Sequence, residues 1–248
     1  MNLLVLPFSV FQQGDEVAAK LSRQLPRMIG SEIENAIGAR LKARYLSSRG
    51  TDITGRSGLV AATELPSPGD LETVTRMYGG DLVLTGRFGL TEREILIEGR
   101  YYDVKKKSEV YAKRFETYPT YYFDAVEEIK LRATQLLGID LGEEERVALF
   151  SRPTESWQAY LYYLLAEDER YALTLGIPPQ DHKGAITLYQ EAINTDPSFI
   201  QAKRGLEHLL VLLLENDLIS QTQLEVMIGQ MSEFVTPEFT QAIDDLLH

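Results

Sequence analysis

Apolar and polar positions alternate most clearly in the middle of the first half of the chain. The segment 81–88 alternates, and two further alternating segments follow at 94–104 and 110–115, with the polar turn 105–108 between the last two. Because successive strands with short connections pair most simply with their neighbours, this pattern predicts a three-stranded antiparallel meander.

The residues before the meander show a strand followed by helical spacing. Leu3 to Phe8 is a short apolar run of the kind found in buried strands. From Asp15 to Arg44 the apolar residues recur every three or four positions, which predicts a helix. Pro26 lies inside that pattern, and since proline removes a backbone donor, a break in the helix is expected there.

Two more helices complete the first half of the chain. One begins at Asp70, which can cap the first turn, and ends at Gly79; the other runs from about Phe123 to Gly138. The polar, glycine-rich segment 51–58 is predicted to be a loop or an irregular strand. These elements together predict an α+β domain, with a mixed sheet that contains the antiparallel meander.

The order strand, helix, strand, helix, meander and helix resembles the amino-terminal domain of TolB and its cytoplasmic relatives, a fold like the anticodon-binding domain. The resemblance is carried by LVLPF at 4–8, YGGDLVLTG at 78–86, and RYYD at 100–103 followed by EVYAKRF at 109–115. It covers about residues 1–139. Such a resemblance implies a scaffold domain, and it supplies no catalytic residue.

The composition changes sharply near residue 140. Basic and acidic residues balance over 1–140, whereas 141–248 accounts for the whole net charge of −12. The punctuating sequence Ser-Arg-Pro-Thr at 151–154 precedes a long stretch of helical spacing. We therefore predict an α/β domain at 1–139, a linker at 140–154 and an all-α domain at 155–248.

The helical half contains a repeat signature. It consists of Ala185, Tyr189, Ala192 and Pro197. These residues have the spacing of small, aromatic, small and terminating positions in the second helix of a tetratricopeptide repeat (TPR), which the segment resembles. One and a half repeats are recognisable, and two capping helices are predicted after them, with apolar residues at 224–231 and 239–247.

The TPR resemblance also implies a binding surface. In that family the first helix of each repeat lines the ligand groove, which places Gln201, Arg204 and His208 on the groove. The alternative interpretation is that these three residues are ordinary solvent-facing positions of a helix. The expected ligand is another protein, and the acidic second half favours a basic segment of it.

The sequence shows no pattern of catalytic or metal-binding residues. The histidines His182, His208 and His248 are far apart in the sequence, and only His248 has a carboxylate at helical ligand spacing, with Asp244 four residues before it. There is no cysteine, no glycine-rich phosphate loop and no nucleophile elbow. We therefore expect no enzymatic activity, no cofactor and no metal ion.

The function expected from these features is a non-enzymatic scaffold or adaptor. The alternative is a regulatory or sensory protein whose α/β domain binds a nucleotide, a small ligand or RNA, with the basic turn Lys105-Lys106-Lys107 as the RNA contact. Nucleic-acid binding is not expected, because a neutral first half and an acidic second half attract phosphate groups weakly. A homo-oligomer is compatible with the sequence.

The sequence also bears on location. No segment has the roughly 20 apolar residues that a membrane-spanning helix needs. The segment 1–8 lacks a basic leader and a small-residue cleavage site, which predicts a cytoplasmic protein. A periplasmic protein is the alternative if an export signal has been replaced by Met1.

Overall fold

The computed structural model describes residues 1–12, 14–46, 49–51, 57–59, 62–177 and 181–247. The chain divides into two compact units, Met1–Arg152 and Pro153–His248. The first unit is mixed α/β and the second is helical, which confirms the predicted fold class. Most of the segment 51–58, predicted as a loop or an irregular strand, lies outside the described residues.

The first unit is built on a mixed sheet. Its strands are β1 (Asn2–Val5), β2 (Ser9–Val10), β3 (Lys42–Tyr45), β6 (Leu82–Leu90), β7 (Ile95–Asp103) and β8 (Ser108–Thr117), and the short strands β4 (Arg49–Thr51) and β5 (Ser57–Leu59) pair with each other. The strand order is β3-β1-β6-β7-β8, with β2 beside β6. β1 is parallel to both β3 and β6, whereas β6, β7 and β8 are antiparallel, which confirms the predicted meander.

The described residues of this unit also form four α-helices. They are α1 (Glu16–Ile37), α2 (Pro68–Tyr78), α3 (Tyr122–Leu136) and α4 (Glu143–Phe150). α1 contacts β1, β3 and β6, and α3 contacts β7 and β8. On the opposite face, Leu71 of α2 lies in a buried cluster with Leu4, Val83 and Tyr102 of the sheet.

The predicted break at Pro26 is wrong, because α1 is continuous through that residue. In a helix the N–H of residue 26 would donate to the carbonyl of Ser22, and proline cannot make this hydrogen bond. The Ser22 carbonyl instead accepts a hydrogen bond of 2.8 Å from the backbone N–H of Phe8. The missing helical hydrogen bond is therefore replaced by one that ties α1 to the segment after β1.

The prediction that this helix continues to Arg44 is also wrong. α1 ends at Ile37, where Gly38 takes a φ of 64°, a conformation that glycine adopts without steric cost. Leu41, which continues the helical spacing of apolar residues, is buried just before β3. The strand β3 follows the helix so closely that Leu41, just before the strand, matches the helical period of apolar residues.

The predicted role of Asp70 needs a smaller correction. The amino-terminal cap of α2 is Ser67, whose side chain accepts from the backbone N–H of Asp70 at 3.2 Å. The Asp70 carboxylate accepts in return from the backbone N–H of Ser67 at 2.9 Å, which completes a capping box. The Ser67 hydroxyl also donates to the Asp70 carboxylate at 2.7 Å, and this hydrogen bond, followed by the one from the Ser67 backbone, lowers the pKa of Asp70.

The stretch 140–154, predicted as a linker, contains α4, which contacts α1 and α3. The buried ammonium group of Lys130 in α3 donates to the carbonyl of Leu149 at 2.7 Å and to Glu32 of α1 at 3.1 Å. Arg40 forms an ion pair with Glu145 of α4. The structure therefore places this helix in the first unit.

The second unit consists of α5 (Trp157–Thr174), α6 (His182–Thr195), α7 (Ile200–Glu215), α8 (Gln221–Gln230) and α9 (Pro237–Leu247). α5 contacts α6, α7 contacts both of them, and α8 contacts α7. Aromatic rings fill the space between the first three helices, with the centroids of Tyr163 and Phe199 at 5.0 Å and those of Tyr163 and Tyr189 at 6.1 Å. α8 and α9 occupy the positions of the two predicted capping helices.

Candidate protein-binding site

The turn between α6 and α7 fixes where α7 begins. The Asp196 carboxylate accepts hydrogen bonds from the Ser198 hydroxyl at 2.6 Å and from the Thr154 hydroxyl at 2.5 Å. These two side chains lower the pKa of Asp196 and keep it ionised. Phe199, fully buried, precedes the first residue of α7 and anchors the start of the helix in the aromatic core.

Gln201, Arg204 and His208 all lie on α7, and all three are exposed. Their spacing of three and four residues places them on one stripe of the helix surface. The neighbouring positions Ala202 and Leu206 are fully buried, so the helix has one apolar face and one exposed polar face.

His208 is connected to α5 through Arg170. The Nη1 atom of Arg170 lies 2.8 Å from the Nδ1 atom of His208. The same guanidinium group donates to both carboxylate oxygens of Glu167, at 2.8 and 2.6 Å. The guanidinium of Arg170 is thus held between a buried carboxylate on its own helix and the exposed imidazole on α7.

The helix α6 also joins this network, through Tyr189. Its hydroxyl group donates to the Oε1 atom of Glu167 at 2.5 Å. Burial, and then the negative charge of Glu167, raise the pKa of Tyr189, so the hydroxyl stays protonated and can donate. Burial alone would lower the pKa of Arg170, but its hydrogen bonds and attraction to Glu167 outweigh this, and the pKa is raised.

The network also acts on His208 at its exposed end. Partial burial of the imidazole and the positive charge of Arg170 lower the pKa of His208. The neutral imidazole can accept a hydrogen bond from Arg170 at Nδ1, and it keeps Nε2 as a donor for another group. The stripe therefore offers an uncharged donor at His208 and a guanidinium group at Arg204.

The stripe differs in charge from the rest of its unit. The basic residues of 153–248 are Arg170, Lys183, Lys203 and Arg204, and acidic residues greatly outnumber them. Within the part of the chain that the structure describes, no ion pair of Arg204 is found. An exposed guanidinium group on an otherwise acidic unit is a local attractor for a carboxylate.

The residues of the repeat signature lie on α6 and in the turn after it. Ala185, Tyr189 and Ala192 are buried, and Pro197 is exposed in the turn. A Cβ atom added to Gly205 of α7 would lie 2.5 Å from the Tyr189 ring, so α6 and α7 approach closely at this point.

The lysine turn between β7 and β8 is surrounded by carboxylates. Lys106 lies 3.1 Å from Asp103, Lys107 lies 3.8 Å from Glu72, and the nearest carboxylate oxygen to Lys105 is 4.0 Å away on Asp81. This charge compensation reduces the positive potential that the sequence Lys-Lys-Lys indicates on its own.

Arg170 and Glu167 were not identified from the sequence. The sequence offers one signal, the charged run 167–170 inside a helix that is otherwise apolar. In the structure, Glu167, Asp168 and Glu169 are 1%, 4% and 6% exposed. Charges at such positions require partners, so the run itself predicts an ion-pair network.

Among the described residues, no group of three or more His, Asp or Glu side chains could hold a metal ion. His248 lies outside the described residues. None of the helices in the described ranges combines the length and the apolar character needed to cross a membrane.

A scan of protein-family models and a search of curated proteins both find no match to this chain. Among solved structures, the chain is similar to TolB from Acinetobacter baumannii, with 14% sequence identity and a TM-score of 0.35, over 55% of this chain and 28% of that chain. It is also similar to a PelC dodecamer from Paraburkholderia phytofirmans, with 9% identity and a TM-score of 0.29, over 61% of this chain and 89% of that chain. The chain spans less than a third of the TolB chain, and both similarities are weak.

Proposed function

We propose that this protein is a non-enzymatic adaptor that binds another protein through a TPR-like arrangement of α5, α6 and α7. The observation that carries the proposal is the exposed stripe of Gln201, Arg204 and His208, in which His208 contacts Arg170 and Arg170 is in turn held by Glu167. In this proposal the first unit is a TolB-like scaffold domain.

The packing of the three helices supports the TPR-like interpretation. Small residues on α6 and Gly205 on α7 allow close approach, and the Tyr189 side chain fills the space between these helices. In TPR arrays the first helices of consecutive repeats lie side by side and form the concave binding face. α5 and α7 would hold these positions, and the contact between Arg170 and His208 joins them.

The charge of the stripe specifies the partner further. The net charge of the second half favours a basic segment at long range, but ionic screening weakens that attraction beyond about 8 Å at physiological salt. At the contact itself, Arg204 and the donor of His208 favour a carboxylate. We therefore propose a partner segment that presents a carboxylate to Arg204, either an Asp or Glu side chain or a carboxyl terminus.

Site-specific photo-cross-linking in the source cell tests this function. p-Benzoylphenylalanine is placed at Gln201 of the full chain or, as a control, at Lys183 on the exposed side of α6. We expect a discrete cross-linked partner from position 201 and none from 183. Arg204→Glu should abolish the cross-link, whereas the charge-matched control Lys183→Glu should leave it intact.

Two outcomes would contradict the proposal. One is a cross-link from position 201 that persists in Arg204→Glu. The other is equal capture from positions 183 and 201, since non-specific collision would then explain the result. Once the partner is known, a peptide with its acidic residue changed to the amide should bind more weakly than the native peptide.

A further inference from the structure

A second surface feature lies in the first unit, on the face of the sheet that α2 covers. It is a cleft of about 320 Å³, lined by Glu72, Thr75, Arg76, Tyr102, Val104 and Lys107. Its floor belongs to the apolar cluster in which Tyr102 packs with Leu71, and its walls are the second half of α2 and the turn after β7. The volume is at the lower end of the range for small-molecule sites.

The charged groups of the cleft favour an anion. Arg76 and Lys107 supply two cations and Glu72 one carboxylate, and Lys107 already lies 3.8 Å from Glu72. The guanidinium group of Arg76 donates to the Thr73 hydroxyl at 3.3 Å and is otherwise exposed. This leaves Arg76 with most of its donors available for a planar acceptor group.

The inner wall contains a polar group that the protein does not use. Tyr102 is 4% exposed, and its hydroxyl group is buried with no hydrogen-bond partner among the described residues. The hydroxyl of Thr75, which also lines the cleft, differs because it donates to the carbonyl of Leu71 at 2.8 Å. A buried hydroxyl without a partner is uncommon in folded proteins and marks a place where a ligand can supply one.

The state of this hydroxyl is defined by its surroundings. Burial, and then the negative charge of Glu72, raise the pKa of Tyr102, so the group stays protonated and acts as a donor. Lys107 and Glu72 line the same cleft, and their side chains are 70% and 50% exposed.

We propose that this cleft binds a small organic anion, either a carboxylate or a phosphate ester. The charged group of this ligand lies between Arg76 and Lys107 and accepts a hydrogen bond from the Tyr102 hydroxyl. The apolar part of the molecule lies against Val104. This site shares no residue with the protein-binding stripe, because all of its residues belong to the first unit.

Binding is measured with the full chain and three probes of similar shape, which are benzoate, phenyl phosphate and the uncharged benzyl alcohol. Saturation-transfer NMR detects each probe, and ¹⁵N titration gives its dissociation constant. We expect both anions to shift amide signals of α2 and of residues 102–107, and benzyl alcohol to bind at least about tenfold more weakly. The anion that binds more tightly shows whether the cleft prefers a carboxylate or a phosphate ester.

Three variants separate this site from general charge effects. Arg76→Gln should weaken anion binding by about tenfold or more, and Tyr102→Phe should weaken it several-fold without lowering the melting temperature. Arg93→Gln removes an exposed arginine from the β6–β7 turn, outside the cleft, and should change nothing. The proposal is overturned if neither anion binds at millimolar concentration, if benzyl alcohol binds equally well, or if Arg76→Gln and Arg93→Gln behave alike.

Discussion

At the scale of single residues, Tyr102 and Tyr189 are both buried tyrosines that differ in the hydrogen bonding of their hydroxyl groups. The Tyr189 hydroxyl donates to Glu167, whereas the Tyr102 hydroxyl has no partner within the part of the chain that the structure describes. A hydrogen bond to a buried carboxylate stabilises the fold, but an unpaired buried hydroxyl costs its desolvation free energy. The same substitution should therefore have opposite effects at the two positions.

Tyr189→Phe should destabilise the second unit by on the order of 1–3 kcal/mol, because Glu167 loses a donor while still buried. Tyr102→Phe should leave the free energy of unfolding of the first unit unchanged or raise it by up to about 1 kcal/mol. Urea unfolding followed by fluorescence of the single tryptophan, Trp157, measures the first effect, and native-state hydrogen exchange of the β7 amides measures the second. Equal destabilisation by the two substitutions would contradict this assignment of roles.

His208 should make the stability of the second unit depend on pH. Partial burial and the charge of Arg170 lower its pKa in the folded state, although Glu167 and Glu215 oppose this. A lowered pKa means that the unfolded state binds the proton more tightly, so stability falls as the pH drops through the unfolded value of about 6.5 toward the lower folded value.

The test of this dependence is the unfolding free energy of the second unit between pH 7 and pH 5. The wild-type chain should lose more stability over this interval than His208→Gln, which cannot take up the proton. Trp157 fluorescence follows the unfolding. An equal slope in the two proteins would show that other groups control the pH dependence.

At the scale of elements, α6 and α7 approach each other closely at Gly205. A Cβ atom on Gly205 would meet the Tyr189 ring at 2.5 Å, whereas one on Gly229 of α8 would meet no atom of the described residues within 4 Å. Both glycines lie in helices, where alanine is favoured over glycine by about 0.5–1 kcal/mol when space permits.

This difference predicts opposite results for a matched pair of substitutions. Gly229→Ala should stabilise the second unit by up to about 1 kcal/mol. Gly205→Ala should destabilise it by about 1–3 kcal/mol, because the Tyr189 ring is fully buried and hydrogen-bonded and so cannot move away freely. If Gly205→Ala were as stable as Gly229→Ala, the helices would separate more easily than the structure indicates.

The elements also show what the sequence could predict. The meander and α3 were predicted because alternation and helical period reflect burial on one face of each element. The ending of α1 was not, because Leu41 fits the helical period by chance and the glycine at position 38 was the only local stop signal. The intact helix at Pro26 depends on a hydrogen bond from Phe8, and a contact between distant segments leaves no trace in the local pattern.

The candidate sites also contain parts that the sequence could predict and parts that it could not. The stripe of Gln201, Arg204 and His208 could be predicted because residues on one helix keep a known angular relation. Arg170, which contacts His208, comes from another helix, and the cleft around Tyr102 combines α2 with the end of β7. Such contacts are decided by tertiary packing, so the sequence pattern predicts neither of them.

At the scale of the whole molecule, the charge distribution predicts weak interaction with nucleic acids. The net charge of −12 lies in the second half, and each lysine of the 105–107 turn has a carboxylate within 4.0 Å. We expect only weak, salt-sensitive binding of RNA and DNA, measured by fluorescence anisotropy at physiological salt. Submicromolar binding that is lost when all three lysines are changed to glutamate would instead support RNA recognition by the first unit.

The limits of the two units give the last prediction. The sequence predicts that the α/β domain ends at residue 139, whereas the compact first unit extends to Arg152 and includes α4. Leu149 of this helix is 1% exposed, and its carbonyl accepts a hydrogen bond from the buried ammonium group of Lys130. A chain that ends at 139 would expose the surface beneath Leu149 and leave Lys130 without that acceptor.

Three carboxy-terminal truncations distinguish these limits by urea unfolding followed with circular dichroism. The fragment 1–152 should unfold cooperatively, and 1–139 should be less stable by at least about 2 kcal/mol, the value of burying one leucine side chain. The fragment 1–146 keeps the ion pair between Arg40 and Glu145 but lacks Leu149, so it should behave like 1–139. If 1–139 and 1–152 were equally stable, α4 would only lie against the first unit without stabilising it, and the limit at 139 would describe the folding unit better.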